Sequence, residues 1–174
     1  FYSFCRRSEL LGMRFNHLDF LEEGIKILIP YSKTDQVGEG RYIFIAKKDD
    51  KYCPVASLKN WLNVIQIDKE DPLFYAINKS NKYNKYSLNK KNQKLSLSDA
   101  SFVKILKKRA DLANLNNIEK ISGHSLRRGA ISEARKNNIS INDIMTQSGH
   151  KTSQMIDLYS KVSDIIKTSV TKKI

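Results

Sequence analysis

Apolar and polar positions follow two rhythms along this chain. Residues 24–31 (Gly-Ile-Lys-Ile-Leu-Ile-Pro-Tyr) and 41–46 (Arg-Tyr-Ile-Phe-Ile-Ala) are rich in β-branched and aromatic side chains, as strands are. The polar, glycine-containing stretch Ser32 to Gly40 lies between them, so the pair predicts a hairpin. Helical patterning covers most of the rest. Phe1, Phe4, Leu10, Leu11 and Met13 suit a buried helix within residues 1–14. Pro54 opens a helix expected to run to about Ile67, because proline is tolerated in a first turn. Ser98 is suited to cap a helix reaching about Asn114. Residues 124–137 predict another helix. Ser140-Ile-Asn-Asp143 resembles a capping box, and Gly149 stops the helix it starts. Two short helices, 152–160 and 162–170, are expected to close the chain. The fold class is α+β, mostly helical, with a small antiparallel sheet, read as one domain over residues 1–174.

One segment breaks both rhythms. Residues 78–94 are rich in Lys and Asn and free of acids, which predicts an exposed loop. This draws attention to charge. The formal net charge is +13, and such an excess is most often set against nucleic acid, through phosphate neutralisation and counterion release. Charge alone also fits a membrane surface or ribosomal RNA. No apolar run approaches the roughly 20 residues needed to span a bilayer, and no signal peptide is visible. Cys5 and Cys53 form no disulfide framework, which suits a reduced, intracellular setting. Phe1-Tyr2-Ser3-Phe4-Cys5 has no initiator Met and reads as the middle of a helix. A longer protein, with at least one domain upstream, is therefore expected.

Five local patterns bear on chemistry. In His124-Ser-Leu-Arg127 the imidazole and guanidinium lie three residues apart, so on a helix they share a face. Arginine suits phosphate because its planar fork donates two hydrogen bonds at once. The plain alternative is a surface histidine beside a surface arginine. Gly149-His150 follows a helix stop, at an element end where site residues often occur. Tyr159 shares helical spacing with Met155 and Val162, and a tyrosine on such a face is ordinarily a core residue. Arg6 and Glu9 are again three apart, and by themselves read as an intrahelical ion pair. Lys33 enters the hairpin, where a lysine is by default solvated.

The conjunction says more than its parts. Arg6 with Glu9, Lys33 on a hairpin, His124-x-x-Arg127, Gly149-His150 and then Tyr159 nine residues later resemble the tyrosine recombinase (phage integrase) family in order and spacing. RRSELLGMRFNHLDF is similar to that family's Arg-x-Ser-Glu-Leu box. Ser32-Lys33-Thr34 resembles its strand-end lysine motif, and Asp71-Pro-Leu-Phe74 the segment before its variable loop. HSLRRGAISEARKNNISINDIMTQSGHKTSQMIDLYSKV resembles the stretch from the second box to the nucleophile. The departures are Cys5 and its neighbours, where Gly-Leu is usual, and the strongly basic loop. The resemblance implies a recombinase catalytic domain, with a DNA-binding domain and the first part of the catalytic domain lying upstream.

The resemblance also implies a chemistry. A phosphodiester gains charge on its oxygens as it is attacked, so catalysis is mostly positioning plus fixed positive charge. Arg6 and Arg127 would clamp the non-bridging oxygens. His124 and His150 would donate hydrogen bonds or manage protons. Tyr159 would attack and form a covalent 3′-phosphotyrosyl link. Lys33 takes the role of general acid, and Glu9 that of an orienter. No metal and no nucleotide cofactor are expected. The expected partners are double-stranded DNA and further copies of the chain, as a tetramer on paired sites, with no membrane. The expected setting is the cytoplasm of a bacterium, for a protein encoded by the bacterium or a phage. A topoisomerase-like or hairpin-resolving enzyme would use much the same residues. A non-catalytic DNA-binding derivative should have lost one of them. An RNA-binding basic domain would explain the charge but not the ordered constellation.

Overall fold

The computed structural model describes residues 1–31, 38, 40–65, 67–75, 95–154 and 156–157. These fall into two compact units. One runs from Arg6 to Gly123; the other joins Phe1–Cys5 to the residues from His124 onward.

The first unit is built on a three-stranded antiparallel sheet, β1 (Leu18–Phe20), β2 (Gly24–Ile29) and β3 (Arg41–Ala46), in that order. The hairpin partners are in place: Ile25 faces Ile45, Ile27 faces Ile43, and Ile29 faces Arg41. Alternation sends Ile25, Ile27, Ile29 and Ile43 into the core, while Lys26, Tyr42 and Phe44 stay exposed on the other face. Strand β1 was not anticipated. At three residues, Leu-Asp-Phe is too short to show a periodicity, and it is fixed by pairing Asp19 with Lys26. Strand β2 ends at Ile29, one residue before Pro30, which has no N–H for a ladder.

Helix α1 covers only Arg7–Leu11, and Phe1–Cys5 are not helical, contrary to the reading of residues 1–14 as one helix. The reason is local. Phe4 has φ +55, in the left-handed region, and Arg6 is extended. The apolar residues of the stretch serve two separate cores: Leu11 and Met13 are buried in the first unit, whereas Phe4 packs in the second.

Helix α2 (Pro54–Val64) stops before the expected Ile67, because Ile65 is already extended. Cys53 caps it: its buried Sγ accepts the N–H groups of Lys48 and Ala56 at 3.3 and 3.4 Å. Those backbone donors, Lys48 first, hold the thiol below its usual range. Both cysteines are free. Trp61 donates Nε1–H to the Leu73 carbonyl at 2.9 Å and stacks on Phe74, tying α2 to the Asp71–Phe74 segment. That segment lies antiparallel to Met13–Phe15, with Leu73 N–H bonded to the Met13 carbonyl. Helix α3 (Asp99–Leu112) is capped by Ser98, whose Oγ accepts Ser101 N–H at 3.2 Å, as expected.

The second unit holds α4 (Ser125–Lys136) and α5 (Ile141–Ser148). Ile131, Ile144 and Ile156 form its core, with Phe4, Ala134, Ile141 and Met145 packed around them. Ser140 caps α5 through Asp143 N–H at 3.1 Å. Gly149, at φ +69 and ψ +36, ends it by donating its N–H to the Met145 carbonyl. Of the expected helix over 152–160, Thr152 and Ser153 are not helical and Gln154, Ile156 and Asp157 are; its remaining residues and the expected helix over 162–170 lie outside the described residues. No helix among the described residues is long and apolar enough to cross a membrane.

Candidate active site

The six sequence-predicted residues divide by unit. Arg6 belongs to the first, and His124, Arg127 and His150 belong to the second. Lys33 and Tyr159, like the 78–94 loop, lie outside the described residues.

In the first unit Arg6 stands at the N-terminus of α1 and meets Glu9 twice. Its backbone N–H donates to Oε2 at 2.8 Å, and its Nη1 lies 2.8 Å from Oε1. The Glu9 side chain retains only 2% of its exposure. Burial on its own would raise this carboxyl's pKa. The Arg6 N–H, then the Arg41 charge and the Arg6 guanidinium, outweigh that, so Glu9 sits below the usual carboxylate range. Arg41, whose Nη2 is 3.2 Å from Oε2, was not singled out from sequence. A signal existed: Arg41 shares strand parity with Ile43 and Ile45, so its side chain starts toward the inner face of the sheet, where a charge needs a partner. Two guanidiniums around one carboxylate leave this corner positive.

In the second unit α4 and α5 supply the partners. Arg127 is buried, with 5% exposure. Its Nη1 donates to the Phe4 and Ser148 carbonyls, both at 2.7 Å, which fixes the plane of the fork. Its Nη2 lies 2.9 Å from His150 Nε2 and 3.2 Å from Nδ1. Ser148 Oγ lies 2.7 Å from His150 Nδ1. The structure thus brings together Arg127 and His150, which are 23 residues apart. His124 is the N-cap residue of α4 and is exposed, one turn ahead of the buried Arg127. Two participants were missed from sequence: Ser148, which looked like an ordinary helix end, and Phe4, whose contribution is a backbone carbonyl.

The third histidine, His17, has a different task. Its Nδ1 accepts the Arg14 N–H at 3.2 Å and closes a local turn. Burial, then the Arg14 charge, hold it below the usual imidazole range. Among the described residues, no group of three or more His, Cys, Asp or Glu could hold a metal ion.

With this geometry in hand, comparison with known proteins is direct. Residues 1–165 match the model of the phage integrase family, the tyrosine recombinases, and the chain belongs to that family. It is 33% identical, over 169 residues, to an integrase/recombinase described as a xerD homolog in Selenomonas ruminantium. The alignment spans 97% of this chain and 46% of that protein. Solved structures share the fold. A XerH site-specific recombinase bound to palindromic difH substrate, in a post-cleavage complex, superposes with a TM-score of 0.68 at 18% identity, covering 98% of this chain and 43% of that one. A XerA recombinase gives 0.64 at 19%, covering 91% and 48%. The Tn1549 transposon integrase, solved with circular-intermediate DNA, gives 0.57 at 15%, covering 91% and 50%. The chain therefore spans half or less of the length of these relatives.

Proposed function

We propose that this chain is the strand-cleaving part of a site-specific DNA recombinase or integrase, working through a covalent 3′-phosphotyrosyl intermediate with Tyr159 as nucleophile. The observation that carries the reading is the Arg127–His150 pair. A guanidinium clamped by two carbonyls and set against an imidazole is a preorganised place for a phosphate whose charge grows during attack. The rest of the set is read from the resemblance of Arg6, Lys33, His124 and Tyr159 to the family's motifs, a reading that family membership supports.

In this reading Arg6 and Arg127 hold the non-bridging oxygens, with Glu9 orienting Arg6. His124 and His150 donate hydrogen bonds or move protons at the same phosphate. Tyr159 Oη attacks the phosphorus while its phenolic proton passes to one of these histidines, and the bond from phosphorus to the 5′ oxygen breaks. Lys33 protonates that leaving oxygen. The bond energy stays in the phosphotyrosine, so rejoining needs neither nucleotide nor metal. The partners are double-stranded DNA and further copies of the protein, as a tetramer on paired sites, in the cytoplasm. DNA binding is supported by the relatives solved with DNA substrates.

The test uses the full-length protein on a nicked suicide substrate. Wild type should give a protein–DNA band that survives detergent. Tyr159→Phe removes one oxygen and keeps the ring; it should bind DNA normally and give no band. A band with the Phe variant would overturn the reading.

A further inference from the structure

Arg41 is the first residue of β3 and pairs with Ile29, the last of β2. Its guanidinium reaches α1 and donates from Nη2 to Glu9 Oε2 at 3.2 Å. The Arg41 side chain keeps 18% of its exposure, that of Arg6 16% and that of Glu9 2%, so water competes little for these contacts. The carboxylate stands between the two arginines. Its Oε1 takes Arg6 Nη1 at 2.8 Å, and its Oε2 takes both the Arg6 backbone N–H and Arg41. All three residues belong to the first unit.

We propose that Arg41 is a positioning residue for Arg6: by occupying Glu9 Oε2 it keeps the carboxylate from closing on both arms of the Arg6 fork, and it keeps that pair from cancelling the charge Arg6 turns to a phosphate. The argument runs through lone pairs and charge. A carboxylate offers about four lone-pair sites, roughly two on each oxygen. The two donors on Oε2 fill that oxygen. Arg6 therefore holds the carboxylate through Nη1 on Oε1, whereas the two-pronged pairing frequent between arginine and carboxylate would commit a second nitrogen. Charge acts in the same direction. With Arg41 in place one carboxylate faces two guanidiniums, and positive charge remains. Without it, Arg6 and Glu9 neutralise one another. Fixed positive charge stabilises a phosphate that gains charge during attack, most strongly where water is scarce. A plain staple between β3 and α1 would use the same contact, but its loss would not depend on the charge of the substrate. The role at the phosphate rests on the recombinase reading.

The experiment exploits that difference. Full-length protein at saturating DNA is run on two nicked suicide substrates, one with an ordinary scissile phosphate and one with a methylphosphonate, which is neutral. Arg41→Met removes the charge and the donors and keeps an apolar side chain of similar reach. On the ordinary phosphate it should form adduct about tenfold more slowly than wild type, as misplacement of a catalytic group demands. On the methylphosphonate the gap should shrink to about twofold, because less charge is left to stabilise. An unfolded fraction lowers both rates alike and cancels in the comparison. Arg41→Lys keeps the charge without the fork, should be slowed less, and carries the comparison should the methionine variant fail to fold. Wild-type rates in both variants, or a defect equal on the two substrates, would overturn the proposal. Arg6→Met is run beside them. Relief of its defect on the methylphosphonate without relief of Arg41→Met sinks this proposal alone. Relief in both, beside an adduct that persists in Tyr159→Phe, sinks the assignment of the nucleophile alone.

Discussion

Arg41 Nη2 lies 3.2 Å from Oε2 of Glu9, the same oxygen that accepts the Arg6 N–H at 2.8 Å. One buried carboxylate therefore holds β3 and the start of α1 together and is shared by two guanidiniums. Removing its charge leaves both arginines facing each other in a poorly solvated corner. Glu9→Gln should destabilise the fold by about 3–5 kcal/mol, the range for breaking a buried pair. The pH dependence has a definite sign. Glu9's pKa in the folded state is lowered, so its contribution is complete above the unfolded value, about 4.3, and is lost as pH falls through the folded value. Denaturant melts of wild type and Glu9→Gln should differ most at neutral pH and begin to converge only once pH falls below the unfolded carboxyl value of about 4.3. A gap that widens on acidification would refute the assignment.

Gly149 sets up the second unit's site. It adopts φ +69 at the end of α5, and the residues on either side of it, Ser148 and His150, meet 2.7 Å apart. A side chain in left-handed backbone costs about 1–2 kcal/mol. Gly149→Ala should lower stability by about that amount and slow adduct formation by more than the stability loss explains, because the His150 ring moves with the backbone. Equal effects on both would mean that the turn serves the fold alone.

What was legible in the sequence follows from how far apart the deciding residues lie. The Ser98 and Ser140 caps and the Gly149 stop depend on neighbours within a turn, and each is where local chemistry placed it. The β2–β3 register follows from alternation. His150 was nameable because a glycine before it marks an element end. Glu9 was named, but its second partner, Arg41, is 32 residues away, and only strand parity hinted at it. Ser148 carries no sequence signal, since a serine at a helix end is common and its role depends on tertiary burial. Phe1–Cys5 was misread because its apolar spacing mimics a helix, although Phe4 leaves Arg6's unit for another core.

Lys33 lies outside the described residues, so chemistry must test its role. As the general acid it would protonate the departing 5′ oxygen. Lys33→Ala should cleave ordinary DNA slowly and recover on DNA carrying a 5′-bridging phosphorothiolate, whose sulfur leaves without a proton. Absence of rescue would move the role to His124.

The basic 78–94 segment offers a separate test, of binding and not of chemistry. Each phosphate neutralised contributes about −0.9 to the slope of log affinity against log salt. Replacing the segment's lysines with serine should flatten that slope and leave the cleavage rate of bound DNA unchanged. An unaltered slope would show that these lysines do not meet phosphate.

Phe4 presents two opposed effects at one residue. Its φ of +55 is unfavourable for a bulky side chain, by about 1–2 kcal/mol. Its ring packs on the Ile131, Ile144 and Ile156 core, and truncating a buried phenylalanine costs about 3–5 kcal/mol, less for a half-buried one. Packing should therefore win over strain, and both Phe4→Gly and Phe4→Ala should be less stable than wild type. The two variants lose the same contacts but differ in backbone: glycine tolerates the left-handed region, and alanine does not. The expected order of melting temperatures is wild type, then Phe4→Gly, then Phe4→Ala. The Phe4 carbonyl also accepts from Arg127 Nη1 at 2.7 Å, so a backbone that leaves the left-handed region would carry that acceptor away. Phe4→Ala should accordingly lose more cleavage activity than Phe4→Gly at a temperature where both are folded. Phe4→Gly more stable than wild type would show that strain outweighs packing. Equal activity in the two variants would show that the Phe4 carbonyl does not help to hold Arg127.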